Sequence, residues 1–253
     1  MSTEDEKKQR KGIYLLPNLL TTAGLFVGFY SIVASMHGRY QAAAIAIFIA
    51  IVIDGLDGRV ARMTNTVSDF GAEYDSLSDM VCFGLAPALV IYEWSLSHMV
   101  QLGWAKLGWL AAFFYAATAA LRLARFNAQC DIEDKRFFKG LASPAAAALL
   151  VGTVWAADDI GLQGASLILP SFFLTLTAGA LMVSNIRYYS FKDISASHRV
   201  PFMAILAIVL AFMFASLDPP KVLLAGFIFY ALSGPALSLR VLNKHKPRII
   251  PGG

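Results

Sequence analysis

The chain is poor in the residues on which several protein classes depend. Of its 253 residues, two are cysteine (Cys82 and Cys130) and four are histidine. Two thiols cannot staple a domain of this size, and neither stands in a CxxC or Cys/His spacing, so a disulfide scaffold and a thiolate zinc site are excluded. Both read as small buried apolar side chains. His37, His98, His198 and His245 fall near the ends of apolar runs, where an interfacial or solvated environment accounts for them. Charge is scarce as well: 15% of residues are Asp, Glu, Lys or Arg, against about 25% in an ordinary soluble domain. A disordered tail and a soluble enzyme of usual composition are therefore excluded. No small-residue cleavage site follows a short apolar core, so a cleaved signal peptide is not expected. Internal repeats and low-complexity segments are absent.

What the chain has is apolar length. Hydrophobic residues make up 57% of it and the mean hydropathy is +0.60. A bilayer-spanning helix needs roughly 20 mostly apolar residues. Eight runs qualify, at about 14–36, 42–62, 71–96, 105–127, 143–157, 165–186, 200–217 and 222–242. They are too long and too evenly apolar for barrel strands, so the expected fold is all-α, a polytopic membrane helix bundle. Threading eight spans from a cytoplasmic amino terminus gathers 18 of the 21 lysines and arginines on the cytoplasmic side and leaves Arg39, Lys106 and Lys221 opposite. That asymmetry supports the even count and cytoplasmic termini. The charged stretch 1–13 reads as a cytoplasmic tail, as does 243–253. Trp94, Trp104, Trp109 and Trp155 suit an aromatic belt on the outer side rather than base stacking, and no nucleic-acid partner is expected.

Charges inside spans are costly, by roughly 2.5–3.5 kcal/mol each at a helix centre, and two runs break that rule. The second ends Asp54-Gly55-Leu56-Asp57-Gly58-Arg59-Val60-Ala61-Arg62, and the third begins Gly71-Ala72-Glu73-Tyr74-Asp75-Ser76-Leu77-Ser78-Asp79. Asp54 and Asp57 are three apart, Asp75 and Asp79 four apart, so each pair shares a helical face. A short turn joins the two helices and makes them antiparallel, so the acidic faces meet at one depth near the cytoplasmic side. At an effective dielectric near 20, two unit charges 4 Å apart repel by about 4 kcal/mol. Either several of these acids are protonated or a cation holds them. Oxygen-only ligation favours Mg²⁺, Mn²⁺ or Ca²⁺ over zinc. Gly55, Gly58 and Gly71 permit close helix packing or approach of a phosphate-bearing ligand to the backbone. Arg59 and Arg62 can supply guanidinium contacts to phosphate. Together these features suggest a diphosphate substrate.

The pattern Asp54-x2-Asp57-Gly58-x2-Ala61-Arg62-x8-Gly71-x3-Asp75-x3-Asp79 resembles the full signature of the CDP-alcohol phosphotransferase family. The resemblance implies an integral membrane enzyme with a six-helix catalytic core, usually a homodimer, in which an alcohol displaces CMP from a CDP-linked lipid. It implies Asp54, Asp57, Asp75 and Asp79 at a site for two divalent cations, Mg²⁺ or Mn²⁺, with Asp79 also the general base. Gly58, Ala61, Arg62 and Gly71 would line the CDP site. The stretches Leu16–Thr21, Arg122–Asn127 and Ser184–Lys192 resemble the branch of that family whose acceptor is L-serine and whose donor is CDP-diacylglycerol.

On that resemblance, residues 14–192 form the catalytic core and 193–242 add membrane spans of no assigned chemical role. The carboxylate of serine wants a positive partner among Arg122, Arg125, Arg187 and Lys192, with Arg125 and Arg187 favoured. Glycerol 3-phosphate or inositol as acceptor stays open, as does a reading from another class, a divalent-cation transporter. Against the transporter, the acids lie on one side and no second acidic cluster offers an exit path.

Overall fold

A computed structural model of the chain describes residues 3–64, 68–129, 137–189, 213 and 216–244. Most of the seventh candidate span, with Cys130, Lys135, Arg136, Lys192, His198, Arg199 and His245, lies outside the described residues. The architecture is an all-α bundle: α1 (Thr3–Met36), α2 (Tyr40–Met63), α3 (Asp69–Asp79), α4 (Ala86–Trp94), α5 (Ala105–Gln129), α6 (Ser143–Asp159), α7 (Ile168–Val183) and α8 (Pro219–Lys244). Among the described residues, four continuous helical stretches are long and apolar enough to cross a bilayer: Pro17–Met36, Asp69–Leu102, Ala105–Ala128 and Gly164–Val183. The chain is thus a membrane-embedded helical protein.

α1 begins at Thr3, so the charged stretch is helical from that residue onward and runs without a break into the first apolar run. Further on, α1 carries Gly24 and Gly28 one turn apart. A Cβ on Gly28 would come within 2.6 Å of the Cys82 sulfur. The missing side chain lets the third helical stretch lie directly against α1, the close approach that small residues give membrane helices. That stretch is not one uniform helix. Between α3 and α4 it runs through a π-helical segment, Met80–Leu85, which starts immediately after Asp79. α3 itself opens on Ser68, whose Oγ accepts from the Gly71 N–H at 3.1 Å, with Asp69 in the first turn complementing the helix dipole.

The centre of the bundle is α6. Twelve of its 17 residues are buried, among them four successive alanines, Ala145–Ala148. It packs against α2, α4, α7 and α8, and a helix apolar all round belongs in such a position. Two of the four tryptophans join this interior rather than the expected belt. Trp94 is 3% exposed and Trp155 is 9%, the latter against the Phe48 ring at 5.8 Å. Trp104 and Trp109 remain half exposed, as a belt requires.

One small element departs from the all-helical expectation. Phe137–Lys139 (β1) and Arg187–Tyr189 (β2) pair antiparallel, setting Phe137 opposite Tyr189, Phe138 opposite Tyr188 and Lys139 opposite Arg187. Three residues per strand carry too little alternation to stand out among long helices. The turn out of β1 depends on Gly140 at φ +82°, where a Cβ would fall 2.1 Å from the Met182 carbonyl oxygen. From there Gly140 N–H donates to Ile186 O and Leu141 N–H to Leu181 O. The loops after α5 and α7 are thereby tied into one structure.

Candidate active site

α2 and α3 bring the signature acids together. Oxygens of Asp54, Asp57 and Asp75 lie within 4.8 Å of one another, and Asp79 lines the same cavity. The cavity between them is lined further by Thr21, Ser78 and Cys82. Asp57 is the most enclosed, at 5% exposure. Its Oδ2 accepts from Thr21 Oγ1 at 3.1 Å, and the same hydroxyl reaches Pro17 O at 3.1 Å. A hydroxyl has one hydrogen to share between them, so the bond is bifurcated and holds Asp57 against α1.

α1 forms the floor under the second acidic helix as well. Ser78 Oγ donates to Thr21 O at 3.3 Å, Cys82 Sγ to Gly24 O at 3.3 Å, and Thr22 Oγ1 meets Tyr74 Oη at 2.9 Å. The carboxylates are therefore fixed by a hydrogen-bonded frame rather than free to swing apart. Among the described residues no ion pair joins them to Arg59 or Arg62, both of which are exposed. Three carboxylates so close, unpaired with arginine and already oriented, form an all-oxygen donor set that suits a hard divalent cation. Cys82, the one thiol nearby, is engaged with α1 and leaves the set without sulfur.

The rest of the motif surrounds this centre. Gly55 faces open space, and the nearest atom to a Cβ on Gly58 would be Arg62 Nη1 at 3.8 Å. That side has room for a ligand. Gly71 is tight, with Ser68 Oγ at 3.1 Å and Asn18 Oδ1 at 3.4 Å, so its role begins with helix capping. A family model described as CDP-alcohol phosphatidyltransferase matches residues 14–176.

The chain belongs to that family. It is 35% identical over 221 residues to the CDP-diacylglycerol–serine O-phosphatidyltransferase of Helicobacter pylori (strain ATCC 700392 / 26695), covering 87% of this chain and 90% of the relative. It is 39% identical over 147 residues to the protein of that name from Methanocaldococcus jannaschii, covering 58% of this chain and 63% of the relative. The archaetidylserine synthase of Methanothermobacter thermautotrophicus is 33% identical over 184 residues, 72% of each chain.

Within the family core, the basic residues expected at the acceptor end fall in different settings. Arg122 and Arg125 project from the last turns of α5. Arg122 Nη1 donates to Ser143 Oγ at 2.6 Å, and its guanidinium is close enough to Asp79 to interact electrostatically. Arg125 Nη1 reaches Val183 O at 3.4 Å. Arg122 Nε and Arg125 Nη2 are buried with no hydrogen-bond partner. Unmade bonds on buried charged donors are expensive, and an anion would satisfy both. Arg187 is placed by its backbone alone, in β2 opposite Lys139.

Sequence reasoning did not assign roles to Thr21, Ser78 or Asn127. Asn127 Nδ2 donates to Ser76 Oγ at 3.0 Å and ties α5 to the acidic helix. The signal for Thr21 and Asn127 was their place in two of the three branch-like stretches; Ser78 sits one residue before an assigned acid.

Proposed function

We propose that this protein transfers a phosphatidyl group from CDP-diacylglycerol to L-serine, giving phosphatidylserine and CMP. The observation that carries this reading is the convergence of Asp54, Asp57 and Asp75 from two helices onto one all-oxygen centre. The names of the relatives supply the acceptor and the donor. Asp54, Asp57, Asp75 and Asp79 would hold two divalent cations, Mg²⁺ or Mn²⁺, which when bound neutralise diphosphate oxygens and ease departure of CMP.

The chain's own residues do the rest. Gly58, Ala61, Arg62 and Gly71 line the CDP side, where Gly58 leaves space and Arg62 offers a fork to phosphate. Asp79 takes the proton of the serine hydroxyl as its oxygen bonds to the phosphorus bearing diacylglycerol, and the bond from that phosphorus to the CMP oxygen breaks. Arg125 and Arg187 bind the serine carboxylate, with Arg122 beside them. In the membrane, eight spans place both termini and the site on the cytoplasmic side, with residues 14–192 as the catalytic core, and the protein works as a homodimer.

An acceptor-dependent CMP-release assay on the purified protein tests this reading. CMP should appear only with CDP-diacylglycerol, serine and Mg²⁺ or Mn²⁺ together. Faster release with inositol or glycerol 3-phosphate than with serine would reassign the acceptor, and no release with any alcohol would remove the enzyme reading.

A further inference from the structure

α8 lies beyond residues 14–176, the stretch the family model covers, yet it is fastened to the acceptor end of the site by an unusual joint. Pro235 stands inside α8. Having no N–H, it leaves the carbonyl four residues back, that of Ala231, without its helical donor. In an apolar interior a freed carbonyl must find another partner. Tyr188 supplies it: the phenol donates to Ala231 O at 3.1 Å. Its ring is 0% exposed and fills a notch made by Gly234, where a Cβ would lie 2.4 Å from ring carbons. The Tyr230 ring packs beside it at 5.6 Å. Burial, with the Tyr230 phenol second, pushes the Tyr188 hydroxyl up to about 12, so it remains a donor at physiological pH.

What the joint holds in place is β2. A two-stranded ladder of three residues a side is marginal by itself. Tyr188 directly follows Arg187 in β2, so the lock fixes the strand at that point. Tyr230 is near enough to Arg122 to interact electrostatically, as Arg122 is to Asp79. α8 is therefore in direct contact with β2 through Tyr188, and within electrostatic range of Arg122 through Tyr230.

We propose that α8 is a working part of this acceptor end. Through the Tyr188–Ala231 lock and the Tyr188–Tyr230 ring pair it sets the positions of β2 and Arg122, and so governs serine binding. Tyr188 and Tyr230 are positioning residues, acting through the arginines. The proposal rests on the reading of the basic end as the serine site.

Steady-state CMP release by the purified full-length protein, with serine and CDP-diacylglycerol varied separately, tests it. Gly234→Ala drives a methyl into the tyrosine ring, and Tyr188→Phe removes the lock hydroxyl at little risk to folding. Misplacement on the scale of an ångström can cost as much as 10²-fold, so a serine KM raised about tenfold by Gly234→Ala and about threefold by Tyr188→Phe is expected, with the CDP-diacylglycerol KM within about twofold of the parent. Tyr188→Leu added to Gly234→Ala makes room for the methyl and should restore part of the serine affinity. An unchanged serine KM in Tyr188→Phe and Gly234→Ala overturns the proposal, as does an equal loss against both substrates that tracks thermal stability. If Gly234→Ala does not fold, Tyr188→Phe decides. Arg125→Ala is the control for the parent reading. If it raises the serine KM while the lock variants do not, this proposal alone fails; if it leaves serine KM unchanged, the serine-site reading fails.

Discussion

Asp57 concentrates the site's chemistry in one side chain. It is the most buried of the clustered acids, it holds the bond from Thr21, and it faces Asp54 and Asp75. Asp57→Asn keeps the shape and removes one of the charges that draw a cation. Turnover should fall by about 10²-fold or more, on the scale of losing one electrostatic contact to developing charge. Calorimetric Mg²⁺ binding should weaken in parallel, and near-normal activity at ordinary Mg²⁺ or Mn²⁺ would remove Asp57 from the ligand set. Thr21→Val probes the frame one step out. It leaves Asp57 buried with one bond fewer, for which about 1–3 kcal/mol of stability is the expected cost in a denaturation series. The acids were legible in the sequence because charge in an apolar run has few explanations. Thr21 was not, because a threonine in a membrane helix usually bonds to its own preceding turn, as Thr22 does to Asn18 O at 2.7 Å. Only the fold shows that Thr21 reaches across to Asp57 as well.

At the scale of elements, the junction of α1 with the π-helical segment decides where Asp75 and Asp79 point. π-helical turns occur mostly as single-turn insertions at functional sites, and here the insertion follows Asp79 directly. Gly28 and Cys82 set the spacing at that junction. Gly28→Ala would force its methyl against the Cys82 sulfur, at 2.6 Å, an overpacking expected to cost about 1–3 kcal/mol. Cys82→Ala in the same chain should return most of that loss. A thermal-shift double-mutant cycle with no coupling between the two substitutions would show that the contact does not bear on stability.

The helices themselves could be read from length and hydropathy, and the convergence of Asp54, Asp57 and Asp75 from the spacing of acids on two neighbouring runs. The π-helical segment and the β1–β2 ladder could not, since neither changes the hydrophobic pattern: Met80–Leu85 is as apolar as the helix that follows. Trp94 and Trp155 were misplaced for a related reason. Composition locates tryptophan near a membrane boundary but does not say which flank faces lipid.

For the whole molecule, clustered carboxylates make stability depend on cations. A divalent ion that binds the folded chain and not the unfolded one stabilises it, by about 2.7 kcal/mol at 100 times its dissociation constant. Mg²⁺ or Mn²⁺ should therefore raise the midpoint of thermal unfolding in detergent, EDTA should lower it, and Asp57→Asn should blunt the response. A midpoint indifferent to both additions would argue against the site as a cation centre.

The middle of the bundle has a consequence for how the protein is made. α6 is 17 residues long, or about 26 Å at the usual rise, short of a hydrocarbon layer about 30 Å thick. Much of it is alanine, which offers lipid little grip. The segment that every neighbour leans on is thus poorly suited to stay in a bilayer unaided during synthesis. Its retention depends on companions emerging from the ribosome before and after it, so truncation ahead of α8 should release α6 from the membrane while leaving α1 anchored.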